Sequence, residues 1–257
     1  MRIFVVKKNT LIRAAVFVLL VIGAIVYTQV AFSDAAPVSS TAENMPICRV
    51  ASNEKAVAIT VDTAFGDADY TQQILESLRG ENVRVTFFVM GLWANDNQEM
   101  TGKIAEAGHE IANHSMNHTR YPDLMTSEIT GDANDASDII FQLTGYDTKV
   151  IRPPYGAFDT ETIAALQREG YIPVKWSLDA KDWKGLDAKK ITDEVLSKVK
   201  SGDIIMFQNN VAATPEALPA IILGLREEGF KIVTVSDLLL EENSFVDSQG
   251  TQRYFQD

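Results

Sequence analysis

Three histidines occur in the chain, and two of them stand four residues apart in His114-Ser115-Met116-Asn117-His118. On a helical turn this spacing brings both rings to one face, within reach of a single divalent ion. The alternative is a pair of surface or hydrogen-bonded imidazoles. Asp62 closes an apolar run at 57–61 and precedes Thr63-Ala64-Phe65-Gly66. A carboxylate there could act as general base toward water, or could cap a helix beginning near Ala68. Arg152-Pro153-Pro154-Tyr155-Gly156 is a stiff turn bearing a guanidinium and a phenol. Its prolines fix the backbone and hold Arg152 ready for a bidentate carboxylate partner. Trp183, beside Asp182 and Lys181, offers a flat apolar face of the kind sugars stack on, or that a core absorbs.

These residues need a frame, and 55–240 supplies one. Short β-rich runs at 57–61, 85–90, 110–112, 150–151, 172–176, 203–207 and 231–233 alternate with helical spacing, such as Ile74, Leu75 and Leu78. Thr214-Pro215 reads as the N-cap and first turn of another helix. Alternation of this kind predicts an α/β fold with a mostly parallel sheet of about seven strands, closed as a barrel or lying open. Asp62, His114, Arg152, Asp182 and Gln208 each follow a different strand candidate. In parallel α/β architectures the C-terminal strand ends are where sites are assembled from distant sequence.

The bulk composition narrows the partners. The net charge is −12 and no Lys/Arg-rich stripe occurs, so nucleic acid is not an expected partner. The single Cys48 excludes an intrachain disulfide and reads as a small hydrophobe rather than a nucleophile. Arg2, Lys7, Lys8 and Arg13 precede an apolar run over 14–32, with no acidic residue before Asp34. A run of about 19 residues behind a basic flank predicts one hydrophobic N-terminal helix, a cytoplasmic N-terminus and export of the rest of the chain. Residues 1–32 are thus a signal peptide or a membrane anchor. Small residues at Ser33 and Ala35 permit cleavage, so retention and removal both stay open. Without its four basic residues the remainder carries −16. Residues 33–54 read as linker and lead-in, and 241–257 as a loosely ordered polar tail.

Taken in order, Ile59-Thr60-Val61-Asp62, His114-Ser115-x-x-His118, Arg152-Pro153-Pro154-Tyr155, Asp179-x-x-Asp182-Trp183 and Gly202-Asp203-Ile204-Ile205-Met206-Phe207 resemble the successive motifs of the polysaccharide deacetylase family, also called NodB-homology or carbohydrate esterase type 4. Asp62-Thr63-Ala64-Phe65-Gly66 and Thr214-Pro215-Glu216-Ala217-Leu218-Pro219 are similar to a bacterial subgroup associated with sporulation and cell-wall sugars. The resemblance implies a distorted (β/α) barrel that removes acetyl groups from peptidoglycan or chitin-like N-acetylglucosamine polymers. It implies a divalent metal, often zinc, held by His114 and His118, with Asp62 as general base and Arg152 orienting that base. The Tyr155 backbone would help bind the oxyanion, Asp182 would support the general acid, and Trp183 would line the substrate groove.

Two positions depart from the family pattern. Thr63 stands where a second Asp usually supplies the third metal ligand, and a hydroxyl is a far poorer ligand. Asp67 or Asp69 could substitute. Gln208 stands where a catalytic His usually follows the sixth strand, and a carboxamide cannot deliver a proton to the leaving amine. Two functions therefore stay open: an attenuated deacetylase, and a glycan-binding homologue in wall or spore assembly.

Overall fold

The computed structural model of the chain describes residues 44–52, 54–241 and 243–255. The predicted N-terminal helix and the linker before residue 44 lie outside the described residues. Among the described residues, no helix is long and apolar enough to cross a membrane.

In chain order the strands are β1 (Arg49–Val50), β2 (Ala56–Thr63), β3 (Thr86–Val89), β4 (Glu110–Asn113), β5 (Val150–Ile151), β6 (Ile172–Pro173), β7 (Leu178–Asp179), β8 (Ile204–Gln208), β9 (Lys231–Val233), β10 (Ser244–Val246) and β11 (Thr251–Tyr254). The helices are α1 (Thr71–Glu81), α2 (Gly91–Asp96), α3 (Gln98–Glu106), α4 (Thr126–Thr144), α5 (Thr160–Arg168), α6 (Ala188–Leu196), α7 (Ala213–Glu227) and α8 (Val235–Leu238).

Parallel pairing runs β6-β5-β4-β3-β2-β8-β7, and β9 pairs the start of β2 through Ala56 to Ala58. The sheet curls into a distorted barrel that stays open between β6 and β7. Strand β2 is its axis: all eight residues are buried and most are β-branched or small, as a strand covered on both faces requires. Its pleat divides the core. Val57, Ile59 and Val61 join Phe87, Ile111 and Phe207 beneath the helices. Ala58 packs with Phe88, Ala112 and Ile204 in the barrel interior. Thr60 and Asp62 share Ala58's parity, so the interior row ends at the rim on a carboxylate.

The chain crosses from β6 to β7 without pairing them, and the lead-in segment fills that gap. Ile47 donates its N–H to the Pro173 carbonyl and accepts from Lys175 N–H, both at 2.8 Å, while Val50 N–H reaches the Gly202 carbonyl at 3.0 Å. The fold therefore begins before the expected boundary at residue 55. It also extends past 240. Strands β10 and β11 form an antiparallel hairpin whose second strand pairs with β1, so within the expected loose tail the residues 244–254 are ordered against the fold. Helix α7 starts at Ala213 with Ala212 before it, which corrects Thr214 from N-cap to helical residue.

Candidate active site

Asp62 is 5% exposed and Arg152 is fully buried. Arg152 Nη1 donates to Asp62 Oδ1 at 2.5 Å and to Thr60 Oγ1 at 2.9 Å, and Nη2 donates to the Lys175 carbonyl at 2.7 Å. Its guanidinium lies on the Phe88 ring, 3.8 Å from the centroid. The pairing with Asp62 runs through one oxygen rather than the bidentate fork expected. The other oxygen, Oδ2, stays clear of Arg152 and stands 3.9 Å from His114 Nε2. One oxygen anchored and one facing the imidazoles is the arrangement a positioned base needs.

His114 follows β4 and directs Nδ1 at the Arg152 carbonyl, 2.8 Å away. A carbonyl only accepts, so Nδ1 carries the proton and Nε2 keeps its lone pair. His118 brings its own Nε2 to within 3.2 Å of that lone pair. Burial holds His114 below the usual imidazole range despite Asp62. Burial first, then His114, push His118 down to about 4. Both rings are neutral at pH 7. The segment is not the helical turn that the spacing suggested. It is a loop in which Ser115 (φ 68) and His118 (φ 55) are left-handed, and Ser115 Oγ accepts the His118 N–H at 2.8 Å.

Tyr155 is also left-handed, at φ 60. Its ring meets His118 edge-on with centroids 4.6 Å apart. Among the described residues its backbone N–H has no intramolecular acceptor within hydrogen-bond distance. Left-handed His118 and Tyr155 at one opening, with Ser115 buried behind His118, are the pattern of a site whose surroundings over-determine its shape.

Asp182 is fully buried beneath the rim. It accepts the Gln208 N–H at 2.8 Å, the Thr214 hydroxyl at 2.7 Å and the Trp183 N–H at 2.9 Å. Desolvation pushes its carboxyl up to about 6, with these three bonds opposing. It thus holds the backbone of residue 208 in place. The Gln208 side chain turns its Nε2 toward Met206 Sδ at 3.3 Å.

A cleft of about 350 Å³ lies at this rim, lined by Asp62, Ala64, Phe65, His114, His118, Tyr155, Trp176, Gln208 and Asn210. Asp62, His114, His118 and Tyr155 therefore come together, with Arg152 directly behind them. Trp183 does not line the cleft; it is 54% exposed and its indole N–H leans on Asp179. Its place as the aromatic wall is taken by Trp176, and Phe65 and Asn210 complete the lining. Sequence reasoning gave Phe65 no role beyond its motif, and it missed Trp176. Trp176 was hidden by the expectation that its strand continued to 176, whereas β6 stops at Pro173.

Whether a metal fits can be judged from the donors. Two imidazole nitrogens bound tetrahedrally to zinc at about 2.0–2.1 Å would stand roughly 3.3 Å apart. The observed separation is 3.2 Å with both nitrogens unprotonated or competing for one proton, so the pair suits a divalent ion. Among the described residues no group of three His, Cys, Asp or Glu forms a ligand set. Thr63 donates to the Val61 carbonyl at 3.4 Å and lies outside the cleft lining. Asp69 cannot replace it, since its oxygens accept from Thr71 and from the Trp93 indole. Asp67 is exposed and likewise outside the lining.

The polysaccharide deacetylase family matches residues 49–174. A peptidoglycan-N-acetylglucosamine deacetylase of Bacillus cereus is 33% identical over 195 residues, covering 74% of this chain and 91% of that protein. The Bacillus subtilis peptidoglycan-N-acetylmuramic acid deacetylase PdaC is 32% identical over 72% of this chain, which spans only 39% of that longer protein. Among solved structures, a CE4 family pseudoenzyme from Bacillus anthracis aligns with a TM-score of 0.71 at 30% identity, over 75% of this chain and 68% of that one. A mutant of the same pseudoenzyme, described as having restored enzymatic activity, aligns at 0.72.

Proposed function

The chain belongs to the polysaccharide deacetylase family, and we propose on that premise that its cleft hydrolyses the N-acetyl groups of a cell-wall glycan, at an attenuated rate. The substrate class follows its relatives: peptidoglycan or another N-acetylglucosamine polymer. The observation that carries the reading is the single-oxygen clamp on Asp62, which leaves Oδ2 facing the imidazole pair.

In this mechanism His114 and His118 would hold a divalent cation, with zinc suited to their spacing. That ion, when bound, polarises the acetyl carbonyl and acidifies water. Everything else falls to the chain. Asp62 Oδ2 takes a proton from water as its oxygen adds to the carbonyl carbon. The Tyr155 N–H donates to the developing oxyanion. Phe65 and Trp176 present apolar faces to the sugar, and Asn210 adds a polar group to the same lining. As the C–N bond breaks, the amine nitrogen must take a proton from Asp62 or from solvent, because Gln208 has none to give. Loss of a dedicated acid costs about 10²- to 10⁴-fold in rate. The basic flank and apolar run over 14–32 support an extracytoplasmic domain, anchored or released.

A second reading, a glycan-binding homologue without activity, is favoured by Gln208 and by the likeness to a pseudoenzyme. Acetate release decides between them. The protein, supplied with zinc or cobalt, is given N-acetylglucosamine oligomers and peptidoglycan, with Asp62→Asn as control and folding checked by circular dichroism. Metal-dependent release that the control loses supports the enzyme. Saturable glycan binding without release supports the binding homologue.

A further inference from the structure

The loop that carries His118 has no secondary structure of its own, yet it holds two Cβ-bearing residues in the left-handed region. Its polar groups are taken up from two sides. On one side the N–H groups of Gly91 and Leu92, at the start of α2, donate to the carbonyls of Ser115 and Met116 at 2.8 and 3.1 Å. The fit there is close: a Cβ added to Gly91 would lie 2.4 Å from Met116 Sδ. On the other side stands Asp132 of α4, only 8% exposed. Its Oδ1 accepts the Met116 N–H at 2.8 Å and the Tyr121 hydroxyl at 2.9 Å. Its Oδ2 accepts the Asn117 N–H at 3.0 Å and the Asn117 side-chain amide at 2.9 Å.

All four partners of Asp132 are donors. Only an acceptor-only side chain satisfies them together, since a carboxamide would turn an N–H₂ toward other donors. A helix could bury an apolar residue here at less cost, so the carboxylate serves the loop rather than the helix. Met116 and Asn117 are the residues between Ser115 and His118. Fixing their N–H groups fixes the turn that swings the second imidazole toward the first.

We propose that Asp132 is the positioning residue of the histidine pair: it holds 115–118 in the turn that brings His118 Nε2 beside His114 Nε2, and so sets how tightly the pair takes a divalent cation. The cation half of this inference rests on the deacetylase reading of the cleft; the loop half does not.

Two measurements on the full chain keep the halves apart. Amide hydrogen exchange on metal-free protein reports the loop, and calorimetric titration with zinc reports the pair. In the wild type the Met116 and Asn117 amides are expected to be protected. In Asp132→Asn they should exchange at least about tenfold faster, and zinc should bind about 10- to 100-fold more weakly, as loss of a group that orients metal ligands typically gives. Tyr121→Phe removes one of the four donors and should shift both readouts less, in the same direction; it also serves should Asp132→Asn fail to fold. Asp203→Asn breaks the ion pair of the buried Asp203 with the partly exposed Arg49 at the opposite end of β8 and controls for general destabilisation. It should leave the two amides and zinc affinity unchanged. Wild-type exchange and zinc affinity in Asp132→Asn, or losses no larger than those of Asp203→Asn, would overturn the proposal. If the wild type binds no zinc, the cation reading fails, and exchange alone decides: faster exchange in Asp132→Asn upholds the positioning role, unchanged exchange refutes it.

Discussion

Asp62 and Arg152 are both buried, and their ion pair fixes what any substitution at either position does. Removing one member of a buried pair costs about 3–5 kcal/mol, because the remaining charge has lost its partner. Asp62→Asn is therefore expected to abolish acetate release and also to lower stability by about that amount, read from urea unfolding beside the activity assay. A variant as stable as the wild type would mean that Arg152 does not depend on Asp62. Position 208 acts differently. Gln208→His should raise the deacetylation rate by about 10²-fold or more, because the backbone there is already held by Asp182 and only the acid is absent. An unchanged rate would show that proton delivery does not limit the reaction. Asp182 itself predicts a pH dependence. Its carboxyl is raised from 3.8 to about 6, so between those values the folded protein holds a proton that the unfolded chain releases. The stability this contributes is full below about pH 4 and is lost as pH rises to about 6, some 3 kcal/mol at about 1.4 kcal/mol per unit. Asp182→Asn should remove that slope while lowering stability throughout, since an amide cannot accept from all three donors. Unfolding free energies at pH 4, 5 and 6 for both proteins test this. The chemistry-bearing residues were legible because His, Asp and Arg at strand ends are costly to keep without use. Trp176 was not, because an aromatic after an apolar run reads equally well as strand.

At the scale of elements the site belongs to its loops. The run 57–61 is plainly a strand, and β2 extends it at both ends because both its faces are covered. By contrast β7 spans two residues, too short for any periodicity, and owes its pairing to β8 alone. The His114–His118 spacing suggested a helix because sequence spacing carries no information about left-handed residues that tertiary contacts impose. The same limit hid the packing of the loop after β2 against the loop after β8. There the Asn209 carboxamide oxygen accepts the Ala64 N–H at 3.2 Å, its carbonyl accepts the Tyr70 N–H at 2.8 Å, and Gly66 leaves room for Asn210. A Cβ at Gly66 would lie 2.3 Å from Asn210 Nδ2. Gly66→Ala is therefore expected to push Asn210 out of the cleft wall. Its KM for N-acetylglucosamine oligomers should rise several-fold, while the melting temperature falls only slightly because the loop lies at the surface. A lowered kcat with KM unchanged would place Asn210 outside substrate binding.

For the molecule as a whole the decisive feature is the opening between β6 and β7, since a parallel barrel with an uncovered seam exposes both core and unpaired backbone. Segments on either side of the barrel close it. Residues 47–50 lie in the seam, with Ile47 and Val50 in the interior core. Arg49 pairs with the buried Asp203, its Nε 2.6 Å from Oδ1. This segment is too short to hold itself there. The hairpin of β10 and β11 holds it: Cys48 and Arg49 donate to the Gly250 carbonyl at 2.7 and 3.2 Å, and Ala51 donates to Gln252 at 2.8 Å. The Gln252 side chain ties the hairpin back to Leu240, accepting its N–H at 2.9 Å and donating to its carbonyl at 3.0 Å. Polar composition concealed this role, because a hairpin that works mainly through backbone bonds and one glutamine, with Val246 alone of its strands packed on the interior core, shows no apolar alternation. Deleting residues 241–257 removes these three backbone hydrogen bonds of the lead-in, at about 1 kcal/mol net each, and loosens Ile47 and Val50, each worth about 1.5–3 kcal/mol when fully buried. The truncated protein should lose at least about 3 kcal/mol in urea unfolding, and its Cys48 thiol, which burial holds above its ordinary pKa, should become reactive toward a thiol reagent under native conditions. The rim that carries the cleft lies at the other end of the strands, so the glycan affinity of molecules that remain folded should change little. An unchanged unfolding midpoint with Cys48 still protected would mean that the seam closes without the hairpin, and that the barrel, not its ends, carries the stability of the fold.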